Sequence, residues 1–157
     1  MKDRHTNQTC SFPGHFPNAQ WKAPEEQVGP DGNAIGELTE KVDIYALGNI
    51  LFRFATGKGP WREMADNPHA KLTSEQKAHI AELKLNGGRL PEIPEKTLRL
   101  KDPYINLILE AMEMCYSFKP EDRPTAREVA NFFEDKKKEL DTSLIDFGRF
   151  PKQIKKK

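Results

Sequence analysis

The sequence predicts a mainly helical domain, and three observations carry that expectation. Apolar residues recur at helical spacing in four stretches between residues 39 and 140, those stretches open on recognisable caps, and the residues before 39 hold neither a helical nor a strand period. A chain of 157 residues and 18.0 kDa fits one domain. With 36% hydrophobic residues it can bury a modest core and has little apolar surface to spare. Three regions follow: a loop region over 1–38, a helical body over 39–140 and a basic tail over 141–157.

Residues 1–38 are rich in Asn, Gln, Gly and Pro and read as loop, with one short helix after Pro24. Thr39 can cap a helix running to about Thr56. Its apolar residues, Val42, Ile44, Tyr45, Leu47, Ile50, Leu51, Phe54 and Ala55, go nearly all the way round, which predicts a buried central helix. Gly57-Lys58-Gly59-Pro60 ends it, and Trp61 is placed to pack back against it. Thr73 and Gln76 form a capping box for a helix from Ser74 to Asn86, which Gly87-Gly88 stops. Asp102 caps the next helix and Pro103 takes its first turn, with Tyr104, Ile108, Met112 and Cys115 as a core stripe, not a cofactor box. Thr125 and Glu128 make a second capping box, followed by Val129, Phe132 and Phe133 on one face; this helix is expected to end near Leu140.

Composition narrows the function classes. Lys plus Arg number 25 against 24 Asp plus Glu, so a net charge of +1 gives no general attraction to nucleic acid or anionic lipid. Lys136-Lys137-Lys138 and Lys155-Lys156-Lys157 read as solvated surface, and no basic stripe interleaved with aromatics supports nucleic-acid binding. Cys10 and Cys115 are too far apart in sequence to suggest a disulfide framework and point to a reducing compartment. Cys10 with His15 lacks the second ligand pair that zinc needs, and His5, His69 and His79 are scattered, so no metal is expected. No apolar run approaches the roughly 20 residues that cross a bilayer, and Met1-Lys2-Asp3-Arg4-His5 opens no signal peptide. The expectation is a soluble cytoplasmic protein, with the nucleus also open.

Three pieces carry chemistry. Ala23-Pro24-Glu25 is followed about twenty residues on by Asp43-Ile44-Tyr45-Ala46-Leu47-Gly48 and much later by Asp122-Arg123-Pro124-Thr125. A carboxylate and a guanidinium held near core helices are best tolerated when they satisfy each other, which favours a Glu25–Arg123 pair. Asp43, inside an apolar helix, needs hydrogen-bond donors, and Gly48 permits close approach of another segment. In this order and spacing the pieces resemble the second half of a eukaryotic protein kinase domain, over roughly residues 5–138.

That resemblance implies a fold and an activity. The fold is the helical C-terminal lobe of the protein-kinase-like fold, with the N-terminal lobe and catalytic loop absent from these residues. Ala23, Pro24, Glu25, Asp43, Gly48 and Arg123 match the family's structural signatures; Glu25 would close the activation segment onto Arg123, and Asp43 would hold the catalytic loop. Intact members transfer phosphate from ATP, with magnesium, to protein hydroxyls. Here the glycine-rich loop, strand lysine, His-Arg-Asp and metal-binding Asp-Phe-Gly do not precede Ala23, so no cofactor, metal or catalytic residue is expected for this chain alone. Asp146-Phe147-Gly148 spells the metal triplet in the wrong place, and chance alone supplies a given triplet in on the order of 2% of chains this long. Thr6, Thr9 and Ser11 are candidate phosphosites in an activation-segment-like stretch. Asn18 stands where serine/threonine kinases usually have Thr and tyrosine kinases Pro, while Trp21 leans toward the tyrosine-kinase-like side. The expected partner is a protein, as substrate or ligand, with no nucleic acid and no membrane. The alternative is a non-catalytic kinase-lobe remnant serving as a protein-binding module.

Overall fold

A computed structural model describes residues 18–29, 32–67 and 70–146, with side chains described as far as Leu140. Among the described residues there are five α-helices, α1 (Lys41–Thr56), α2 (Ser74–Leu85), α3 (Glu95–Leu98), α4 (Pro103–Cys115) and α5 (Ala126–Asp146), and short 3-10 turns at Pro24–Glu26, Arg62–Met64 and Pro120–Asp122. Among the described residues the only strand-like pairing is one isolated antiparallel bridge, Val28 to Ala34.

Local signals set the helix ends. Thr73 Oγ1 accepts from Gln76 N–H at 3.2 Å while Gln76 Oε1 accepts from Thr73 N–H at 2.9 Å, which satisfies two otherwise free donors of α2. Asp102 accepts from the N–H groups of Tyr104 and Ile105 at the start of α4. Thr125 and Glu128 repeat the reciprocal box at α5, and hydrogen bonds from the Thr125 backbone and hydroxyl hold the Glu128 carboxyl below its usual range. Gly57, at φ 70°, takes the left-handed position that closes α1.

The main core forms where α1 crosses α4: Ile44, Tyr45, Leu51, Phe52 and Ala55 pack on Leu109, Ala111, Met112, Cys115 and Tyr116, with Val129 of α5 and Ala23 at the margins. Gly48 makes this contact close, because a Cβ there would lie 3.0 Å from the Tyr116 ring and 3.2 Å from Cys115 Cβ. A second, smaller cluster joins Trp61, Leu72 and Ile80.

Four expectations change. The apolar residues of α1 go round the helix, but it is not buried all round: Ile50 is 48% and Phe54 72% exposed, while polar Asn49 and Thr56 are buried in their stead. Apolar identity alone does not fix the buried face; partners do, and α4 covers only one side. Trp61 packs on Ile80 of α2, not back on α1. Tyr104 leaves the core stripe of α4 and is exposed, since Pro103 and Asp102 place it in the first turn at the solvent end. Finally, α5 runs past Leu140 to Asp146 because Asp141-Thr142-Ser143 contains neither Gly nor Pro to stop it.

Candidate functional site

Arg123 lies in the extended stretch between the Pro120–Asp122 turn and α5, and its side chain is completely buried. A guanidinium offers five N–H donors. Nη1 donates to Glu25 Oε1 at 2.6 Å and to the Lys41 carbonyl at 2.9 Å; Nη2 donates to Glu25 Oε2 at 2.8 Å and to the Phe118 carbonyl at 3.1 Å; Nε donates to the Ser117 carbonyl at 2.8 Å. All five donors are used. The Lys41 ammonium in turn donates to the Arg123 carbonyl, and the guanidinium sits 5.0 Å from the Tyr45 ring centroid. One side chain therefore ties the turn at Pro24–Glu26, the start of α1, the loop after α4 and the approach to α5.

Glu25 is placed by its own turn. Pro24 opens it, and the Glu26 carboxylate reaches back to the Ala23 N–H at 2.7 Å. Burial raises the Glu26 carboxyl above its usual range against that hydrogen bond, and neighbouring Glu25 adds to the rise. Gly36 N–H donates to the Glu25 carbonyl at 3.0 Å, and a Cβ on Gly36 would sit 2.6 Å from Glu25 Cβ. Only glycine fits there without movement.

The segment leading into Ala23 is held from below. Asn49 Nδ2 donates to the Trp21 carbonyl at 2.8 Å, and Asn49 Oδ1 accepts from the Tyr116 hydroxyl at 2.9 Å. Burial raises the pKa of both Tyr45 and Tyr116, so both phenols stay neutral. Lys84, at the end of α2, donates to the carbonyls of Ala19, Gln20 and Lys22. Burial pulls its pKa down to about 7, while Glu26 and Glu25 oppose that shift.

The structure thus brings Ala23, Pro24, Glu25 and Arg123 into one node, with Gly48 at the α1–α4 crossing beneath it. Asp43 is set apart: it faces solvent at the head of a stripe continued by half-buried Leu47 and exposed Ile50 and Phe54. Thr6, Thr9, Ser11, Cys10, His5, His15, His69 and Phe147-Gly148 lie outside the described residues. Sequence reasoning missed Lys84, Asn49, Gln27 and Gly36. Two of these carried a signal: Lys84 is four residues after Ile80 on the same helical face, and Asn49 interrupts the apolar series of α1.

The described residues do not fit an ATP–magnesium site. Among the described residues no three His, Cys, Asp or Glu side chains converge on a point where an ion could bind. A groove of about 790 Å³ between the end of α1 and α3 mixes Arg53, Lys58 and Arg62 with Glu63, Asp66 and Glu92. Among the described residues, no helix is long and apolar enough to cross a membrane.

The chain is similar to proteins named as kinases. It is 32% identical to Receptor-like kinase TMK2 of Arabidopsis thaliana over 115 residues, which are 66% of this chain and 12% of that protein. It is also 32% identical to Probable serine/threonine-protein kinase iksA of Dictyostelium discoideum over 133 residues, 80% of this chain and 13% of that protein. This is a kinase-related domain. The kinase-related domain spans little more than a tenth of the length of those two relatives. A further relative, Insulin-like growth factor 1 receptor of Xenopus laevis, is 24% identical over 127 residues, 81% of this chain and 8% of that protein. No family model and no solved structure matches the chain.

Proposed function

We propose that these residues form the C-terminal lobe portion of a protein kinase domain, serving as the platform that closes the activation segment and receives a protein substrate. The observation that carries this reading is the buried fork from Arg123 to Glu25, which fixes the Ala23-Pro24-Glu25 turn on the α1–α4 core. The solvent-facing stripe of Asp43, Ile50 and Phe54 adds support, since it offers a carboxylate and apolar contacts to a catalytic loop supplied by a longer chain. Trp21 immediately before Lys22-Ala23 is our reason to lean toward the tyrosine-kinase-like side. On this reading the strand lysine, catalytic-loop aspartate and metal-binding triplet that position and neutralise the phosphoryl group belong to the upstream half of such a domain, and these 157 residues alone are expected to transfer no phosphate.

Calorimetric titration of ATP with magnesium into the purified chain tests this. No heat of binding at millimolar nucleotide is expected, and binding that disappears in Asp146→Asn would overturn the reading. A second reading, a protein-binding module without catalysis, rests on the same exposed Ile50 and Phe54. The two separate on one experiment: adding the upstream half of a kinase domain in trans restores phosphotransfer under the first reading and does nothing under the second.

A further inference from the structure

Lys84 is fully buried at the C-terminal end of α2, and its Nζ lies 3.0 Å from the Ala19 carbonyl, 3.1 Å from Gln20 and 2.6 Å from Lys22. The rings of Tyr45 and Trp61 lie 5.0 and 5.7 Å away. An ammonium has three N–H donors and no acceptor, so three oxygens consume it completely. A neutral amine has two N–H groups and a lone pair. With the amine in place, one of the three carbonyls must face a lone pair.

The carbonyl left over is identifiable. Gln27 Nε2 shares its two hydrogens among the carbonyls of Ala23, at 3.2 Å, and of Ala19 and Lys22, at 3.4 Å each, whereas among the described residues the Gln20 carbonyl has Lys84 alone. The Trp21 carbonyl is pinned separately by Asn49. Gln20 C=O and Trp21 N–H share one planar peptide unit, and that N–H donates to the Asn18 carbonyl at 3.0 Å. Turning the Gln20 carbonyl away therefore breaks the Trp21 N–H bond as well. Polar groups for a second arrangement are already present, because the buried Trp61 Nε1 and Gln20 Oε1 have no partner among the described residues.

We propose that Lys84 is a proton-operated latch on residues 19–22: as an ammonium it fixes all three carbonyls, and as an amine it releases the Gln20–Trp21 peptide unit. The groups that face it are Glu25 and Glu26 from the 3-10 turn, Lys22 from the segment itself, Tyr45 from α1, Arg89 after α2 and Tyr116 after α4. Arg123 also lies over the Tyr45 ring. Among the described residues no carboxylate is within ion-pair distance of Nζ; Glu25 is committed to Arg123 and Glu26 to Ala23 N–H. Burial brings the lysine to about 7, so the exchange falls in the neutral range. The latch stands on this geometry and does not depend on the kinase reading.

The test is a nuclear magnetic resonance titration of the whole chain, labelled at lysine Nζ and Cε and at backbone amides, from about pH 5.5 to about pH 9.5. Lys84 is expected to titrate near neutrality, and the Trp21 amide is expected to shift and lose exchange protection with the same midpoint. In Lys84→Met the Trp21 transition disappears. Wild-type protein alone can overturn the latch: either Lys84 remains an ammonium up to about pH 9.5, or it titrates while the Trp21 amide stays unchanged.

Discussion

Arg123 shows how much one side chain can be asked to do. Five donors meet five acceptors drawn from Glu25, Lys41, Ser117 and Phe118, all with the guanidinium out of water. Lysine keeps the charge but not the planar fork. Arg123→Lys is therefore expected to cost about 2 kcal/mol or more in denaturant unfolding, because buried acceptors lose their donors. Arg99, paired on the surface with Glu95 at 2.6 Å, is the control: Arg99→Ala should change stability by less than about 0.5 kcal/mol. Equal effects from the two variants would show that the node is not a buried one. A glycine pair makes a second residue-scale prediction. Gly36→Ala drives a methyl to 2.6 Å from Glu25 Cβ, whereas Gly87 has nothing within 4 Å. Unfolding curves should place Gly36→Ala about 1–3 kcal/mol below wild type, with Gly87→Ala above it.

At the scale of elements, sequence and structure agree where the cause is local. Thr73 with Gln76, Asp102 with Pro103, and Thr125 with Glu128 each act within four residues, and each places a helix start correctly to within a residue. Either capping Thr replaced by Ala should cost about 1 kcal/mol, read as a shift of the urea midpoint at constant slope. What could not be read is what depends on distant chain. Lys84 lies among charged residues of α2 and becomes a buried ligand only because residues 19–22, more than sixty positions earlier, bring their carbonyls to it. Ile50 and Phe54 look like core residues and are solvent-facing because no described element lies over that side of α1. Phe52→Ala should accordingly cost about 3–5 kcal/mol and Phe54→Ala far less, measured by the same urea titration. The Glu25–Arg123 node lies between these cases, since motif order named both residues but only the fold supplied the three carbonyls that complete it.

For the whole molecule, Lys84 ties stability to pH with a definite sign. Its pKa falls from 10.5 to about 7 on folding, chiefly by burial. Between those values the unfolded chain holds a proton that the folded chain has given up, so unfolding takes up a proton and stability rises with pH. Below about 7 both states are protonated and this contribution is flat. The slope from this one group is at most about 1.4 kcal/mol per pH unit, and Lys84→Met should remove it from a series of denaturant melts. The local release at Gln20–Trp21 is a different equilibrium, because there the amine stays buried. Global stability can therefore rise over the same range in which the latch lets go.

Closure of the scaffold by an early carboxylate and a late guanidinium is what joins the fold to the kinase-like reading. A double-mutant cycle on Glu25→Gln and Arg123→Met measures it most directly, by denaturant unfolding of wild type, both single variants and the double. A coupling energy of about 2 kcal/mol or more is expected, with the double variant less destabilised than the sum of the two single variants. A coupling below about 0.5 kcal/mol would mean that the two ends of the chain do not depend on each other, and the account would fail.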